Sequence, residues 1–282
     1  MQSETASPAI QGRTLASYRL GYSEAESRRL MLQAEVLAPI TRRLMLSAGL
    51  REGMRVLDIG CGVGDVSMLA ADIVGPTGTV VGIDLNADSV ALARARADER
   101  GYRTIAFEAV SLYAFEEPRS FDFAIGRYVL IHQADSVAAL EQIKKSVKPG
   151  GTLAFHEIGS YVGVRSYPAV PLWDQVGAWQ TQHTLGGANP YAATRLPQSL
   201  ERAGLTNAGL FCEMPVAYGK DPQIYAWVAE TQRTFLPAYV SKGIVSAEEL
   251  DIETLQTRLE DAVTASGSLV IAWPQICAWA TA

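Results

Sequence analysis

Cysteine is scarce in this sequence, and the few cysteines present are not arranged for metal binding. Only three occur among 282 residues, Cys61, Cys212 and Cys277, with no CxxC pair and no Cys/His cluster. An odd, widely spaced set of thiols is not typical of a disulfide framework and supplies no ligand set for a structural metal. We therefore expect neither a metal site nor a disulfide scaffold.

The chain also lacks an excess of positive charge. It has 24 Lys and Arg against 30 Asp and Glu, its net charge is −6, and no basic run is longer than two residues. A nucleic-acid substrate requires a basic face. The charge balance therefore argues against DNA or RNA as a partner and favours a small-molecule substrate.

Long apolar segments are missing as well. No apolar run reaches the roughly 20 residues of a membrane-spanning helix. The stretch MQSETASPAIQGRT has neither the basic nor the apolar region of a signal peptide. Hydrophobic residues make up 48% of the chain, enough for a sizeable core. We expect a cytoplasmic globular protein that does not associate with membranes.

A glycine-rich turn after a short apolar run is the most informative feature that the sequence does contain. Residues 56–65 read VLDIGCGVGD, with Gly60, Gly62 and Gly64 at alternate positions, and the segment VSMLAADIV follows. This pattern predicts a buried strand, a tight turn and a helix start. Glycine is required where a ligand must approach the backbone, and a helix start offers free N–H groups.

The acidic residues around this turn separate it from a dinucleotide-binding fingerprint. G-x-G-x-x-G would need a glycine where this chain has Asp65, and Asp58 stands two residues before the first glycine. The next apolar run, TVVGI, ends at Asp84, 20 residues after Gly64, where a carboxylate can accept hydrogen bonds from both ribose hydroxyls. These features favour a nucleoside with a cationic tail and no phosphate, which S-adenosylmethionine (SAM) satisfies. A nicotinamide-dependent oxidoreductase is the less favoured alternative.

Four motifs, in their order and spacing, resemble the class I SAM-dependent methyltransferases. They are VLDIGCGVGD, VVGIDL, SFDFAIGRYVLIH and SVKPGGTLAFHE, and they lie within residues 51–157. The segment YRLGYSEAESRRLMLQAEVLAPITRRLMLSAGL is also similar to the helical leader of the bacterial small-molecule branch. The resemblance implies methyl transfer from SAM to O, N or C of a small, aromatic or apolar metabolite. A SAM-binding protein of the same family without turnover is the alternative.

The resemblance also implies a set of cofactor-binding residues at the ends of successive strands. They are Asp58, Gly60, Gly62, Gly64, Asp84, Leu85, Val110, Gly126 and Arg127. The glycines would lie beneath the methionine part of SAM, with Asp58 directed toward its ammonium group. Asp84 would bind the ribose, and Leu85 would press on the adenine face.

The adenine slot departs from the pattern of the family, which commonly has an acidic residue there. The matching position falls at Ala109 or Val110, so either the local backbone or Ser111 would contact the adenine. After the fourth strand, the carbonyl of Gly126 would meet the ammonium group. Arg127 would pair with the cofactor carboxylate or with an anionic substrate.

His132 is the candidate catalytic residue, because plant O-methyltransferases hold their general base at this place. A neutral imidazole can take a proton from a phenol or an enol. A histidine that only shapes the site is the alternative interpretation. His156 and Glu157 end the next predicted strand and are expected to face the same cavity, whereas His183 is interpreted as structural.

The alternation of apolar runs and helical patterns predicts the fold. The predicted elements are strands at 55–59, 79–83, 104–108, 121–126 and 152–157, with helices at 64–74, 87–100 and 135–147. They indicate an α/β, Rossmann-like, doubly wound sheet. The resemblance implies seven strands, mostly parallel, with an antiparallel last strand, a helical leader and helical lid insertions.

Four regions are predicted along the chain. They are a leader at 1–50 that covers the cofactor, the SAM-binding core at 51–157, an aromatic-rich lid at 158–192, and the end of the core at 193–282 with a helical insertion at about 218–266. The aromatic segments 158–192 and 222–240 are expected to form the substrate pocket. The leader helix is predicted at 23–48, with Ser23 as its N-cap and Pro39 as a kink or break. LVIAWPQICAWA is predicted as one last strand interrupted by Pro274. A homodimer is a further expectation.

Overall fold

The computed structural model describes residues 24–220 and 222–282. Within these residues the strands are β1 Arg55–Ile59, β2 Thr79–Asp84, β3 Ile105–Ala109, β4 Phe121–Arg127, β5 Val147–Ile158, β6 Arg165–Tyr167, β7 Thr206–Glu213, β8 Val216–Tyr218, β9 Leu269–Ile271 and β10 Gln275–Thr281. The α-helices are α1 Glu24–Ser47, α2 Asp65–Val74, α3 Ala87–Glu99, α4 Ser136–Ser146, α5 Pro171–Leu185, α6 Leu196–Arg202, α7 Pro222–Ser241, α8 Ala247–Leu250 and α9 Leu255–Ser266.

Seven strands form one sheet in the order β3-β2-β1-β4-β5-β10-β7. The neighbouring pairs from β3 to β5 are parallel, whereas β10 runs antiparallel to both β5 and β7. The chain reverses its direction of travel across the sheet at β1, so the carboxyl ends of β1 and β4 flank the switch point. The predicted Rossmann-like, mostly parallel sheet with an antiparallel last strand is confirmed.

Two large apolar clusters, one on each face of the sheet, make up most of the core, and a smaller third cluster packs α3 against β3. Val56 of β1 belongs to the cluster that includes apolar residues of α1, α2 and α7, and the adjacent Leu57 belongs to the cluster that includes α4 and α6. Successive side chains of a strand point to opposite faces, so a strand covered on both sides must be apolar at every position. The unbroken apolar runs that predicted these strands have this origin.

The C-terminal segment is divided between two sheets, which corrects the prediction of one interrupted strand. Residues 269–271 form β9 in a second sheet, of order β6-β9-β8, and residues 275–281 form β10 in the main sheet. Pro274 lies between them, where its missing N–H breaks neither ladder. The other two strands of this small antiparallel sheet, β6 and β8, have no counterpart among the predicted elements.

The leader forms a long helix that packs against α7 and α2. This helix continues through Pro39, so the predicted break does not occur. The predicted N-cap, Ser23, lies outside the described residues. The end of the predicted helical insertion forms two helices, because Asp251 takes a left-handed conformation (φ 43°) between α8 and α9. Across the part of the chain that the structure describes, helices of membrane-spanning length and apolarity are not found.

Asp58 is buried at the centre of the sheet, in the strand that leads into the glycine turn. It is 1% exposed, and Ser67 of α2 donates a hydrogen bond of 2.5 Å to its Oδ2. Its Oδ1 has no hydrogen-bond partner within the described residues. Burial raises the pKa of Asp58 to about 7, although the hydrogen bond from Ser67 and the positive charge of Arg127 both lower it. A carboxyl in this setting favours its neutral form at acidic pH.

The titration of Asp58 predicts a pH-dependent stability. The folded protein binds the Asp58 proton more tightly than the unfolded chain does. Protonated Asp58 therefore contributes its full share to the free energy of unfolding below the ordinary pKa of 3.8, and this contribution is lost as the pH rises to about 7. Asp58→Asn cannot ionise. The unfolding free energy of the Asp58→Asn variant minus that of the parent should therefore increase by about 1–4 kcal/mol between about pH 4 and about pH 8.

Urea unfolding of both proteins, without ligand, measures this difference. The same substitution at Asp88, an exposed residue of α3, serves as the control for the exchange of a carboxylate for an amide. A difference between parent and Asp58→Asn that stays constant from acid to neutral pH would contradict the titration of a buried Asp58.

Candidate active site

A cavity of about 570 Å³ lies at the carboxyl ends of β1, β2 and β4 and is covered by α1, α5 and α7. Its size falls in the range of about 300–1,000 Å³ that is usual for small-molecule sites. Parallel strands bring their carboxyl ends to the same edge of a sheet, and this edge carries the residues of the glycine turn. One end of the cavity is formed by the strand ends, and the other by the helices.

The three glycines of the turn have different surroundings, although all have positive φ values (66°, 51° and 88°). A Cβ on Gly62 would meet no atom within 4 Å, so the space in front of it is open. A Cβ on Gly60 would lie 3.0 Å from Val129, and one on Gly64 would lie 3.0 Å from Phe107. Gly60 and Gly62 line the cavity, whereas Gly64 packs behind it at the start of α2.

Asp84 connects the glycine turn to the next strand–helix junction. Its Oδ2 accepts a hydrogen bond of 2.9 Å from the Gly62 amide, and its Oδ1 accepts one of 2.8 Å from the Asn86 amide. A carboxylate has about four acceptor positions, so two remain for a ligand in the cavity. The neighbouring Leu85 is 77% exposed and lines the same cavity, which rules out a role in core packing.

Val110 and Arg127 complete the strand-end wall of the cavity. The Val110 amide donates to the Asp84 carbonyl, which holds the segment after β3 beside β2. Arg127 donates weakly to Thr41 (3.5 Å), and none of the described carboxylates forms an ion pair with it. The cavity wall therefore carries a guanidinium that is available for an anionic group.

Asp58 and Gly126 lie behind this wall rather than in it. A Cβ on Gly126 would be 2.8 Å from the Phe155 ring, so glycine is needed there for packing between β4 and β5. Asp58 presents its unpartnered Oδ1 within the buried layer beneath the turn. Contact of either residue with a cofactor stays a prediction.

His132 lines the cavity at the end of a short 3-10 helix, Leu130–His132. Partial burial, and then the positive charge of Arg29, hold the pKa of its imidazole below the ordinary value of 6.5. The imidazole is therefore neutral at physiological pH, as a proton acceptor must be. The position agrees with the sequence prediction, and its catalytic role stays a prediction.

Glu157 holds this short helix in place, a role that the sequence did not indicate. The side chain is fully buried, and its carboxylate accepts hydrogen bonds from the amides of Val129, Leu130 and Ile131 (2.9, 2.8 and 3.3 Å). Burial raises the pKa of Glu157 to about 7, against the lowering by these three donors. The expectation that Glu157 faces the cavity is wrong, because it acts on the loop from behind.

His156 is also buried rather than exposed to the cavity. Its Nδ1 lies 3.0 Å from the Thr41 hydroxyl of α1, and its Nε2 lies 2.9 Å from Gln275 Oε1 of β10. Burial and the nearby Arg127 lower the pKa of His156 to about 3, so the ring is neutral. An amide oxygen only accepts, so Nε2 carries the proton. The expectation that His156 lines the site is therefore corrected, because it links the leader helix to the sheet.

The helical end of the cavity differs from the predicted aromatic lid. None of the aromatic residues at 158–192 lines the cavity, and the segment contributes Ile158, Ser160, Gln180 and Thr184 instead. Tyr161 and Tyr191 pack against each other, with ring centroids 5.2 Å apart. The aromatic wall at this end comes from α7, within the segment 222–240 that is also predicted to form the pocket, and α7 contributes Trp227 and Phe235. His183 stacks on Phe235 (4.6 Å), in agreement with its structural interpretation.

Metal chemistry has no visible basis in the part of the chain that the structure describes. There, no group of three or more His, Cys, Asp or Glu side chains is arranged to hold a metal ion. Cys61 and Cys277 are buried, and burial raises the pKa of both thiols. The polar groups on the cavity wall are main-chain N–H groups, carboxylates, guanidinium groups, an imidazole, side-chain amides and hydroxyl groups.

Comparisons of the sequence with known proteins identify methyltransferases as relatives of this chain. A family model described as a methyltransferase domain matches residues 50–204. Aklanonic acid methyltransferase DauC from Streptomyces sp. (strain C5) is 39% identical over 125 residues, which are 44% of this chain and 57% of that protein. Demethylmenaquinone methyltransferase from Staphylococcus aureus is 30% identical over 138 residues, 49% of this chain and 54% of that protein. The chain thus spans about half the length of these curated relatives.

Solved structures share the fold at low sequence identity. The YcgJ protein from Bacillus subtilis has a TM-score of 0.56 and 16% identity, and the match covers 91% of this chain and 98% of that chain. The [4+2]-cyclase SpnF has a TM-score of 0.53 and 21% identity, with 86% and 80% covered. These likenesses establish the fold alone. The matched methyltransferase domain covers more than half of the chain and contains the whole strand-end wall of the cavity, and the chain belongs to the class I SAM-dependent methyltransferase family.

Proposed function

We propose that this protein transfers a methyl group from SAM to O, N or C of a small, aromatic or apolar metabolite. The observation that carries the proposal is the open space over Gly62, bordered by the Asp84 carboxylate and by Arg127 in one cavity. A nucleoside with hydroxyl groups at one end and an amino-acid tail at the other is complementary to such a wall.

The residues present fit this cofactor. Asp84 has free acceptor positions for ribose hydroxyls, and the exposed Leu85 offers an apolar surface for a flat base. Arg127 would pair with the carboxylate of the tail. Asp58, with its buried and unpartnered Oδ1, lies behind the turn, and a cationic group bound above the turn would favour the ionised form of this carboxyl. The backbone near Val110 would contact the adenine edge.

The helical end of the cavity supports an aromatic or apolar methyl acceptor. Trp227 and Phe235 of α7, with Ile158 at the end of β5, give this end an apolar wall. The relatives named above act on aklanonic acid and on demethylmenaquinone. Because only about half of their length is matched, the acceptor of this chain is proposed as a class rather than as either compound.

Catalysis would consist mainly of positioning. When bound, SAM supplies a methyl group that its sulfonium already activates, so the protein has to align the acceptor and exclude water. Helices α1, α5 and α7 cover the cavity and serve the exclusion of water. His132, neutral at physiological pH, would take the proton of a hydroxyl acceptor.

Two other functions are distinguished by experiment. The adenine slot lacks the acidic residue that is common in the family, so a SAM-binding protein without methyl transfer is the second candidate. Calorimetric titration with SAM, and with NAD as the control, tests the cofactor against a nicotinamide-dependent function. A screen of small-molecule pools for transfer of a labelled methyl group tests turnover.

The substrate class, the location, the oligomeric state and the division of the chain are also proposals. The net charge of −6 supports a small-molecule substrate rather than a nucleic acid. We also propose a cytoplasmic location, a homodimer, and the division into leader, core, lid and C-terminal region. Sedimentation measurements would test the homodimer.

Replacing Asp84 tests the ribose assignment. Asp84→Ala should weaken SAM binding by about 1–3 kcal/mol, because the ribose hydroxyls lose their acceptor. Asp135→Ala is a matched control, since Asp135 also accepts from two backbone amides but caps α4 outside the cavity. Calorimetry on both variants decides: equal SAM affinities of Asp84→Ala and the parent would refute the assignment.

Gly62→Val tests the path of the cofactor along the turn. The branched side chain would occupy the open space in front of Gly62, so SAM binding should be lost. Gly101→Val is the control, because Gly101 also has a positive φ (78°) and open surroundings but lies away from the cavity. Both variants place a branched side chain at a positive φ, and only Gly62→Val should lose binding by calorimetry. Retained binding in a folded Gly62→Val protein would place the cofactor elsewhere.

His132→Ala tests the general base. The single-turnover rate with a hydroxyl acceptor from the screen should fall by roughly 10²–10⁴, with nearly unchanged SAM affinity. In the parent, the rate should rise with pH through the pKa of His132 and level off above it. Because partial burial lowers this pKa, the rise should lie below pH 6.5.

The pH profile distinguishes catalysis from packing. The variant should lose the rise, whereas His183→Asn, which changes a histidine outside the cavity, should keep it. Equal rates of parent and His132→Ala at every pH would reduce His132 to a residue that shapes the site.

A further inference from the structure

Gln180 is a polar side chain in the helical wall of the cavity, and it is held from behind by other buried polar groups. It lies on α5, is only 3% exposed, and lines the cavity together with Trp227 and Phe235. Burying an amide is unfavourable unless its hydrogen bonds are satisfied. The hydrogen-bond partners of Gln180 therefore indicate which polar group of its amide is left to contact a ligand.

A chain of two hydrogen bonds sets the orientation of the Gln180 amide. The Gln232 Nε2 group donates to Gln180 Oε1 at 2.9 Å, and the Tyr239 hydroxyl donates to Gln232 Oε1 at 2.7 Å. Gln232 and Tyr239 are fully buried. We call these three side chains the Gln180 relay.

The relay has one direction that satisfies its buried groups. If both amides were reversed, Gln232 would donate to the Tyr239 oxygen, and the hydroxyl proton of Tyr239 would need another acceptor. Within the described residues the Tyr239 hydroxyl has no second partner. A buried O–H without an acceptor costs the full desolvation of that group. The observed direction is therefore the stable one.

This direction leaves Gln180 Nε2 as a hydrogen-bond donor. Its Oε1 is taken by Gln232, and Nε2 has no partner among the described residues, although it is not enclosed within the protein. Because Gln180 lines the cavity, the N–H groups of Nε2 are left for a molecule in it. The neighbouring wall of Trp227 and Phe235 offers apolar contact.

We propose that Gln180 determines substrate specificity by donating a hydrogen bond to a neutral acceptor oxygen, such as a ring carbonyl, of the methyl acceptor. This inference rests on the proposed function and narrows it from aromatic or apolar metabolites to those that carry a carbonyl-type oxygen. Gln232 and Tyr239 are positioning residues, because they hold the amide of Gln180 in the donating orientation.

The test compares two probes with the same bicyclic carbon skeleton, 1-tetralone with a carbonyl and tetralin without one. Binding is measured by calorimetry on the full chain saturated with S-adenosylhomocysteine. The parent should bind 1-tetralone about tenfold more tightly than tetralin, the scale of one buried hydrogen bond. In Gln180→Leu the ratio of the two affinities should fall to about one, with tetralin binding retained.

Two further variants keep the test independent of folding defects. Gln180→Glu retains an oxygen that accepts from Gln232 and, at an alkaline pH at which its carboxyl is ionised, has no donor, so under these conditions it should also lose the preference for the carbonyl probe. Gln182→Leu is the matched control, since Gln182 lies on the same helix but is exposed and outside this cavity. It should keep the tenfold ratio.

Tyr239→Phe tests positioning. Without the hydroxyl, both amides of the relay can reverse, so the ratio should fall while the affinity for tetralin stays the same. A merely structural role of Tyr239 would weaken both probes equally and would leave the ratio unchanged.

The outcomes separate this inference from the proposed function. Binding of S-adenosylhomocysteine without a preference for 1-tetralone in the parent, including no measurable binding of either probe, overturns the role of Gln180 and leaves the methyltransferase proposal standing. Loss of S-adenosylhomocysteine binding in Gln180→Leu would instead assign Gln180 to the cofactor. No binding of S-adenosylhomocysteine by the parent would contradict the proposed function itself.

Discussion

The hydrogen bond from the Gly62 amide to the Asp84 carboxylate joins the ends of two neighbouring strands, and the cofactor end of the cavity depends on it. It holds the glycine turn against β2 while the space in front of Gly62 stays open. The same carboxylate accepts from Asn86, at the start of α3. One side chain thus places the turn, the next helix and two free acceptor positions at the same edge of the sheet.

Buried ionisable and polar groups build the rest of this edge. Glu157 accepts hydrogen bonds from three backbone amides and thereby positions the short helix that carries His132. His156 connects α1 to β10 through Thr41 and Gln275. Each of these groups is costly to bury without partners. Because the partners come from distant parts of the chain, the cavity walls are set by tertiary contacts and not by the turn alone.

The main sheet was predictable for a physical reason. Strands covered on both faces must be apolar at successive positions, and the glycine turn marks where the first one ends, so β1, β2, β4 and their helices follow from local pattern. The strands of the small sheet, three residues each, are too short to show a period. The split at Pro274 was missed because the apolar run around it looks continuous. The aromatic lid was assigned from composition, which does not tell which rings pack together and which line a cavity.

The sequence by itself determined the fold class, the glycine turn and the placement of Asp84, Leu85 and Arg127 at strand ends, because these depend on local pattern and on the geometry of parallel strands. Only the tertiary structure decided that Asp58 and Gly126 lie behind the wall, that Glu157 holds the loop of His132, and that Gln180 faces the cavity as a donor. Those outcomes depend on partners 26 to 52 residues away in the chain or on layers packed behind a strand, and a local pattern carries no information about them.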